Sequence, residues 1–144
     1  MSGYLPSAAE KLEKAIEVFE LIGDAQLALL RCNLAIVRLD LGQRTEAVKE
    51  LDRALSNAIE VDREPLRFAV QTVRLRALAE AHRYVALDEA LSACESLMAT
   101  LRHGERDSRD SAQRASELLE AAGEHERASR ARAIAEDQQA KLRS

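Results

Sequence analysis

"LGQRTEAVKELDRAL", residues 41–55, is the stretch that decides the fold. Gly42 interrupts an apolar run, and a fresh pattern starts at Thr45 with Ala47, Leu51 and Ala54 on one side. A glycine here offers the stop that ends one helix, because it accepts the left-handed backbone conformation of a C-terminal cap. Small residues on the inner face of the next helix let another backbone approach closely, while Leu51 fills the flanking groove. The unit is therefore a helical hairpin, with helix three lying tightly against helix two.

The rest of the chain repeats this style. Its 144 residues are enough for one domain that buries roughly 68–70% of its unfolded surface. With 47% apolar and 32% charged residues, the composition is far from that of a disordered chain. Only two Pro and five Gly interrupt a sequence rich in Ala, Leu, Glu and Arg, the strong helix formers. An all-α protein is expected.

The helices can be placed from period and punctuation. Residues 1–6 carry no helical period and read as a flexible lead, followed by a single domain over 7–144. Ser7 to Glu10 has the form of a capping box, and Leu12, Ala15, Ile16, Phe19 and Ile22 follow at helical spacing before Gly23. Asp24 is placed to cap helix two, about 25–41, which Gly42 ends. Helix three spans about 46–60. Asp62 and Pro65 open helix four, whose buried side is marked by Val70, Val73, Ala77 and Ala81. Helix five covers about 86–102, before Gly104. Helix six holds Ala112, Ala115, Leu119 and Ala122, and helix seven, about 125–142, holds Ala128, Ala131, Ala135 and Leu142. Seven helices with short links imply neighbours packed antiparallel.

"NLAIVRLDLGQRTEAVKELDRAL", residues 33–55, resembles the tetratricopeptide repeat. The matching positions are Asn33, Leu34, Ala35, Gly42, Ala47 and Ala54, with Leu51 at the large apolar site. Arg31 and Arg38 depart from it, since the family usually has large apolar or aromatic residues there. A second copy is visible at 118–136, where Gly123, Ala128 and Ala135 keep the spacing of Gly42, Ala47 and Ala54. A third, "AHRYVALDEALSAC" at 81–94, has His82 for the glycine and about three extra residues if Ala90 is the equivalent of Ala47. Ala15, Ala47, Ala90 and Ala128 are then 32, 43 and 38 residues apart. Intervals near 40 suggest the longer-helix variety found in bacterial regulators and signalling proteins. The resemblance implies a short right-handed solenoid of stacked hairpins with a concave groove for a peptide or helix of a partner protein.

Composition and motifs exclude several other functions. The net charge is −4, with acidic and basic residues well mixed, which denies a nucleic-acid partner the positive surplus it needs. Two Tyr, two Phe and no Trp leave little to stack on bases. No run approaches the roughly 18 apolar residues of a membrane span. The start, MSGYLPSAAEKLEK, lacks a charged region followed by an apolar one, so a cytoplasmic protein with Cys32 and Cys94 reduced is expected. His82, His103 and His125 have no second ligand at i+3 or i+4, and no phosphate loop, nucleophile elbow or Cys-x-x-Cys occurs. No catalytic residue, metal or cofactor is expected. "RHGERDSRDSAQR", 102–114, alternates in sign like a solvated loop, with a phosphate-contacting patch as the alternative.

Helix two is the informative anomaly. Twelve of residues 25–41 are apolar, more than one stripe requires. Leu27, Leu30, Leu34, Val37 and Leu41 can serve the core, which leaves Leu29, Cys32, Ile36 and Leu39 on another side. The resemblance points these four toward the groove, together with Asn33, which matches a family asparagine that can hydrogen-bond a bound peptide. One alternative is that helices one and four cover this side. Another is that the domain self-associates through it, or shields an apolar client segment as a chaperone-type domain would.

Overall fold

The structure, a computed structural model, describes residues 4–19 and 23–143. Seven α-helices and no strand occur among the described residues: α1 (Tyr4–Phe19), α2 (Asp24–Asp40), α3 (Arg44–Val61), α4 (Glu64–Glu80), α5 (Tyr84–Met98), α6 (Arg106–Ala121) and α7 (His125–Arg143). The all-α fold of helical hairpins expected from the periodicity is thus observed. Two compact units are present, Met1–Val70 and Gln71–Ser144, and the division falls within α4.

In the first unit α2 packs on α3 and α1 packs on α2. The hairpin forms as its sequence dictates: Ala28 and Ala35 on α2, and Ala47, Leu51, Ala54 and Ala58 on α3, have no solvent exposure. On another side of α2, Leu27 and Leu34 join Ala9 and Ile16 of α1 in one cluster, against which Leu12, Leu30 and Val37 pack. Each large side chain buried this way contributes about 1.5–3 kcal/mol. In the second unit α6 packs on α7, and α7 also contacts α5.

Three helix ends share one geometry. Leu41, Gly42 and Gln43 donate their N–H groups to the carbonyls of Val37, Leu39 and Arg38. Ala81, His82 and Arg83 repeat this on Ala77, Ala79 and Leu78, and Ala122, Gly123 and Glu124 repeat it on Leu118, Glu120 and Leu119. Each closes the preceding helix with a left-handed residue, at φ 80° in Gly42, 54° in His82 and 81° in Gly123. These residues are 40 and 41 positions apart, which sets the register of the middle repeat. Leu87, not Ala90, stands where Ala47 and Ala128 stand, five residues after each turn. No residues are inserted. Leu87 is fully buried, as Ala47 and Ala128 are.

Several local expectations need correction. α1 starts at Tyr4, so residues 4–6 of the expected lead are helical, with Pro6 tolerated in the first turn. Residues 1–3 and Ile22 lie outside the described residues, as does the side chain of Phe19. Asp24 does not cap α2: Gly23 is the N-cap, and the Asp24 carboxylate accepts instead from Asn57 Nδ2 at 2.7 Å. Asp62 is the left-handed C-cap of α3, at φ 51°. Most of 102–114 is helix, because Ser108, Ser111, Ala112 and Ala115 form a buried small-residue stripe at helical spacing. Ser108 accepts there from the hydroxyl of the fully buried Thr72 in α4, at 3.1 Å. α4 is the helix that is buried on most sides, with Thr72, Leu75, Leu78 and Ala79 enclosed besides Val73 and Ala77.

Candidate functional site

α2 exposes one stripe. Leu29 is 51% accessible, Asn33 four residues later is exposed, and Ile36 three further on is half-buried. Helical spacing puts the three on a single face. The other two residues expected on it, Cys32 and Leu39, are 6% and 4% accessible and belong to the interior. The reason is angular: both lie closer around the helix to the buried Ala28 than to Leu29. Burial pushes the Cys32 thiol up to about 12 and raises that of Cys94 as well. Neither is a nucleophile at neutral pH, because the reactive form is the thiolate.

The side of α2 toward α3 is polar in part. Arg31 donates from Nη1 to Glu50 Oε2 at 2.6 Å and from Nε to Asn57 Oδ1 at 3.1 Å. Arg38, the second departure from the repeat pattern, reaches Gln43 Oε1 at 2.8 Å and Glu13 of α1 at 3.3 Å. These arginines occupy large apolar positions of the pattern by extending their stems along the helix and pairing their heads.

A second cluster of charge lies where α5 meets α7. Arg127 grips Asp88 through Nε and Nη2, at 2.7 and 2.9 Å, also contacts Glu124, and lies 5.1 Å from the centre of the Tyr84 ring. Arg130 holds both oxygens of Glu95, at 2.6 and 3.0 Å. The hydrogen bond from Arg127 keeps the Asp88 carboxyl below the usual range and raises the pKa of the guanidinium itself. Both arginines are committed to carboxylates of the same unit, so this cleft presents no free cation pair to an anionic ligand.

The histidines do not converge. His82 Nδ1 lies 2.9 Å from the Tyr84 hydroxyl, His125 Nδ1 lies 2.9 Å from Glu120, and His103 is exposed in the α5–α6 connection. Among the described residues no group of three His, Cys, Asp or Glu could hold a metal ion. None of the helices described is long and apolar enough to cross a membrane.

No protein-family model matches the sequence, and no curated protein matches it. Among solved structures, the chain is similar to the nearly identical TPR-like repeats of a kinesin-light-chain-like protein from Podosopora anserina. That likeness has a TM-score of 0.60 at 23% identity and covers 97% of this chain and 69% of that one. A variant of the same protein gives a TM-score of 0.63 at 22% identity, over 99% and 71% of the two chains. The chain therefore has the fold of a tetratricopeptide-like helical repeat.

Proposed function

We propose that the chain is a protein-interaction module, and that its first repeat docks an apolar helix or peptide of a partner protein on Leu29, Asn33 and Ile36. The observation that carries this is Leu29, half exposed on a well-formed helix whose Leu27, Leu34 and Leu39 are enclosed. A partner's apolar side chains would cover Leu29 and Ile36, while the Asn33 amide offers two donors and an acceptor to a backbone between them. Repeats of this kind expose such stripes from one helix of each hairpin. The turn spacing of 40 and 41 residues supports the longer-helix variety, and with it a bacterial regulatory or signalling setting. A scaffold role without catalysis, in the cytoplasm, completes the reading.

Site-specific photo-crosslinking in the native host tests it. A crosslinker at Asn33 should capture one defined protein, and Leu29→Glu should abolish the capture without lowering the melting temperature. The same crosslinker at Arg132 of α7 should not capture it. Equal capture from both positions would refute a docking face on α2. Capture of a second copy of the chain would replace the partner reading by self-association.

A further inference from the structure

The connection between α5 and α6 is held by the far end of the chain. Glu105, the residue before α6, gives that helix no side-chain cap. Its backbone N–H is donated to Gln138 Oε1 at 2.9 Å, and Gln138 has no solvent exposure. At the other end of the connection, the carbonyl of Met98, which closes α5, accepts from Lys141 Nζ at 2.8 Å. Lys141 is steadied by Asp137, also at 2.8 Å. Between these points Gly104 runs against α7: a Cβ there would stand 2.4 Å from the Gln138 carbonyl oxygen and 3.1 Å from Leu142 Cγ. Only glycine allows so close a passage. Arg109, in the first turn of α6, adds a hydrogen bond from Nη1 to Gln139 Oε1 at 2.8 Å.

We propose that residues 137–142 of α7 form a latch whose opening frees residues 99–110 as one local unit while the rest of residues 71–144 stays folded. The apolar stripe of α7, Ala128, Ala131, Ile134 and Ala135, lies before the latch, and inside it Leu142 is the one large apolar side chain, half-buried. The latch thus holds by hydrogen bonds with little apolar burial, the composition of a segment that opens below the global unfolding free energy. It acts at both ends of the connection together, since Gln138 and Lys141 are three residues apart on one helix face. Opening is therefore all-or-none for residues 99–110. The latch operates whether or not α2 carries the docking face.

Hydrogen exchange on the full chain, read by mass spectrometry, tests this. Gln138→Ala should speed exchange across 99–110 roughly tenfold, the effect of losing one buried hydrogen bond, and leave Leu87 to Cys94 of α5 unchanged. Lys141→Met should act in the same direction on the same segment, and Gly104→Ala should reproduce the opening. Unchanged exchange over 99–110 would overturn the latch. Equal acceleration over α5 would overturn it too, by showing Gln138 to be ordinary core. Should Gln138→Ala fail to fold, Lys141→Met decides the matter by the same measurement, because its side chain is partly exposed.

Discussion

Arg31 on α2 reaches Glu50 on α3 across 2.6 Å, inside the hairpin whose alanines bring the two helices together. Counted from the turns, the equivalents of this pair in the last repeat are Ala112 and Ala131, both fully buried. The same fold thus accommodates an ion pair in one repeat and two alanines in another. Removing only Glu50, as Glu50→Ala, takes the closest carboxylate from a guanidinium that is largely enclosed. The expected loss is about 1–3 kcal/mol in urea unfolding. Arg31→Leu with Glu50→Leu should fall within about 1 kcal/mol of the parent, since a packed apolar pair needs no compensation. A double variant weaker than Glu50→Ala alone would contradict this.

The register of the middle repeat makes opposite predictions for one equivalent position. Ala47→Leu forces α2 and α3 apart and should cost about 1–3 kcal/mol by overpacking. Leu87→Ala empties a filled site and should cost about 2–5 kcal/mol, with the cavity included. If Leu87→Ala left the urea midpoint unchanged, Leu87 could not be the residue that packs there.

His82 holds a left-handed conformation that Gly42 and Gly123 adopt without a Cβ. It is exposed, and its contact with Tyr84 lies at the surface, so little is lost with the side chain. His82→Gly should raise stability by about 0.5–1 kcal/mol, net of the greater freedom glycine gives the unfolded chain. Gly42→Ala should lower it by about 1 kcal/mol, although nothing lies within 4 Å of the added Cβ, because the strain is in the backbone. Thermal melts of the two variants check both signs.

Asp88 binds its proton less readily in the fold than in the unfolded chain, because Arg127 donates to its ionised form. A carboxyl with a lowered folded pKa stabilises the protein above its unfolded value, about pH 4, and that stabilisation is lost as pH falls through the folded value. Asp88→Asn should therefore melt below the parent at pH 7, with the gap closing toward pH 2. A gap of constant size across this range would show that Asp88 acts through packing alone.

Most helices were legible because the signal is local. Gly42 and Gly123 need no partner to favour a left-handed turn, and the spacing of Ala47, Leu51 and Ala54 is visible without a second helix. The middle repeat was misread for a related reason. The turn at His82 is readable, but Leu87 hides the small-residue position after it, so Ala90 draws the alignment three residues too far. On α2 the sequence announced a surplus of apolar residues, and of the five expected on the groove side Leu29, Asn33 and Ile36 lie on an accessible stripe. It could not divide that surplus, because only about 40–60° of helix angle separates Cys32 and Leu39 from Ile36 on the exposed face.

The sequence by itself determined that the chain is helical, where each hairpin turns, and which residues could face a neighbour, since these follow from backbone preference and a 3.6-residue period. Only the tertiary structure decided which of those faces is covered. The pairing of Arg31 with Glu50 and the hold of Gln138 on Glu105 join residues 19 and 33 positions apart, and the burial of Cys32 and Leu39 depends on what lies over a helix. Such contacts depend on how helix axes approach one another, a quantity that no single helix encodes.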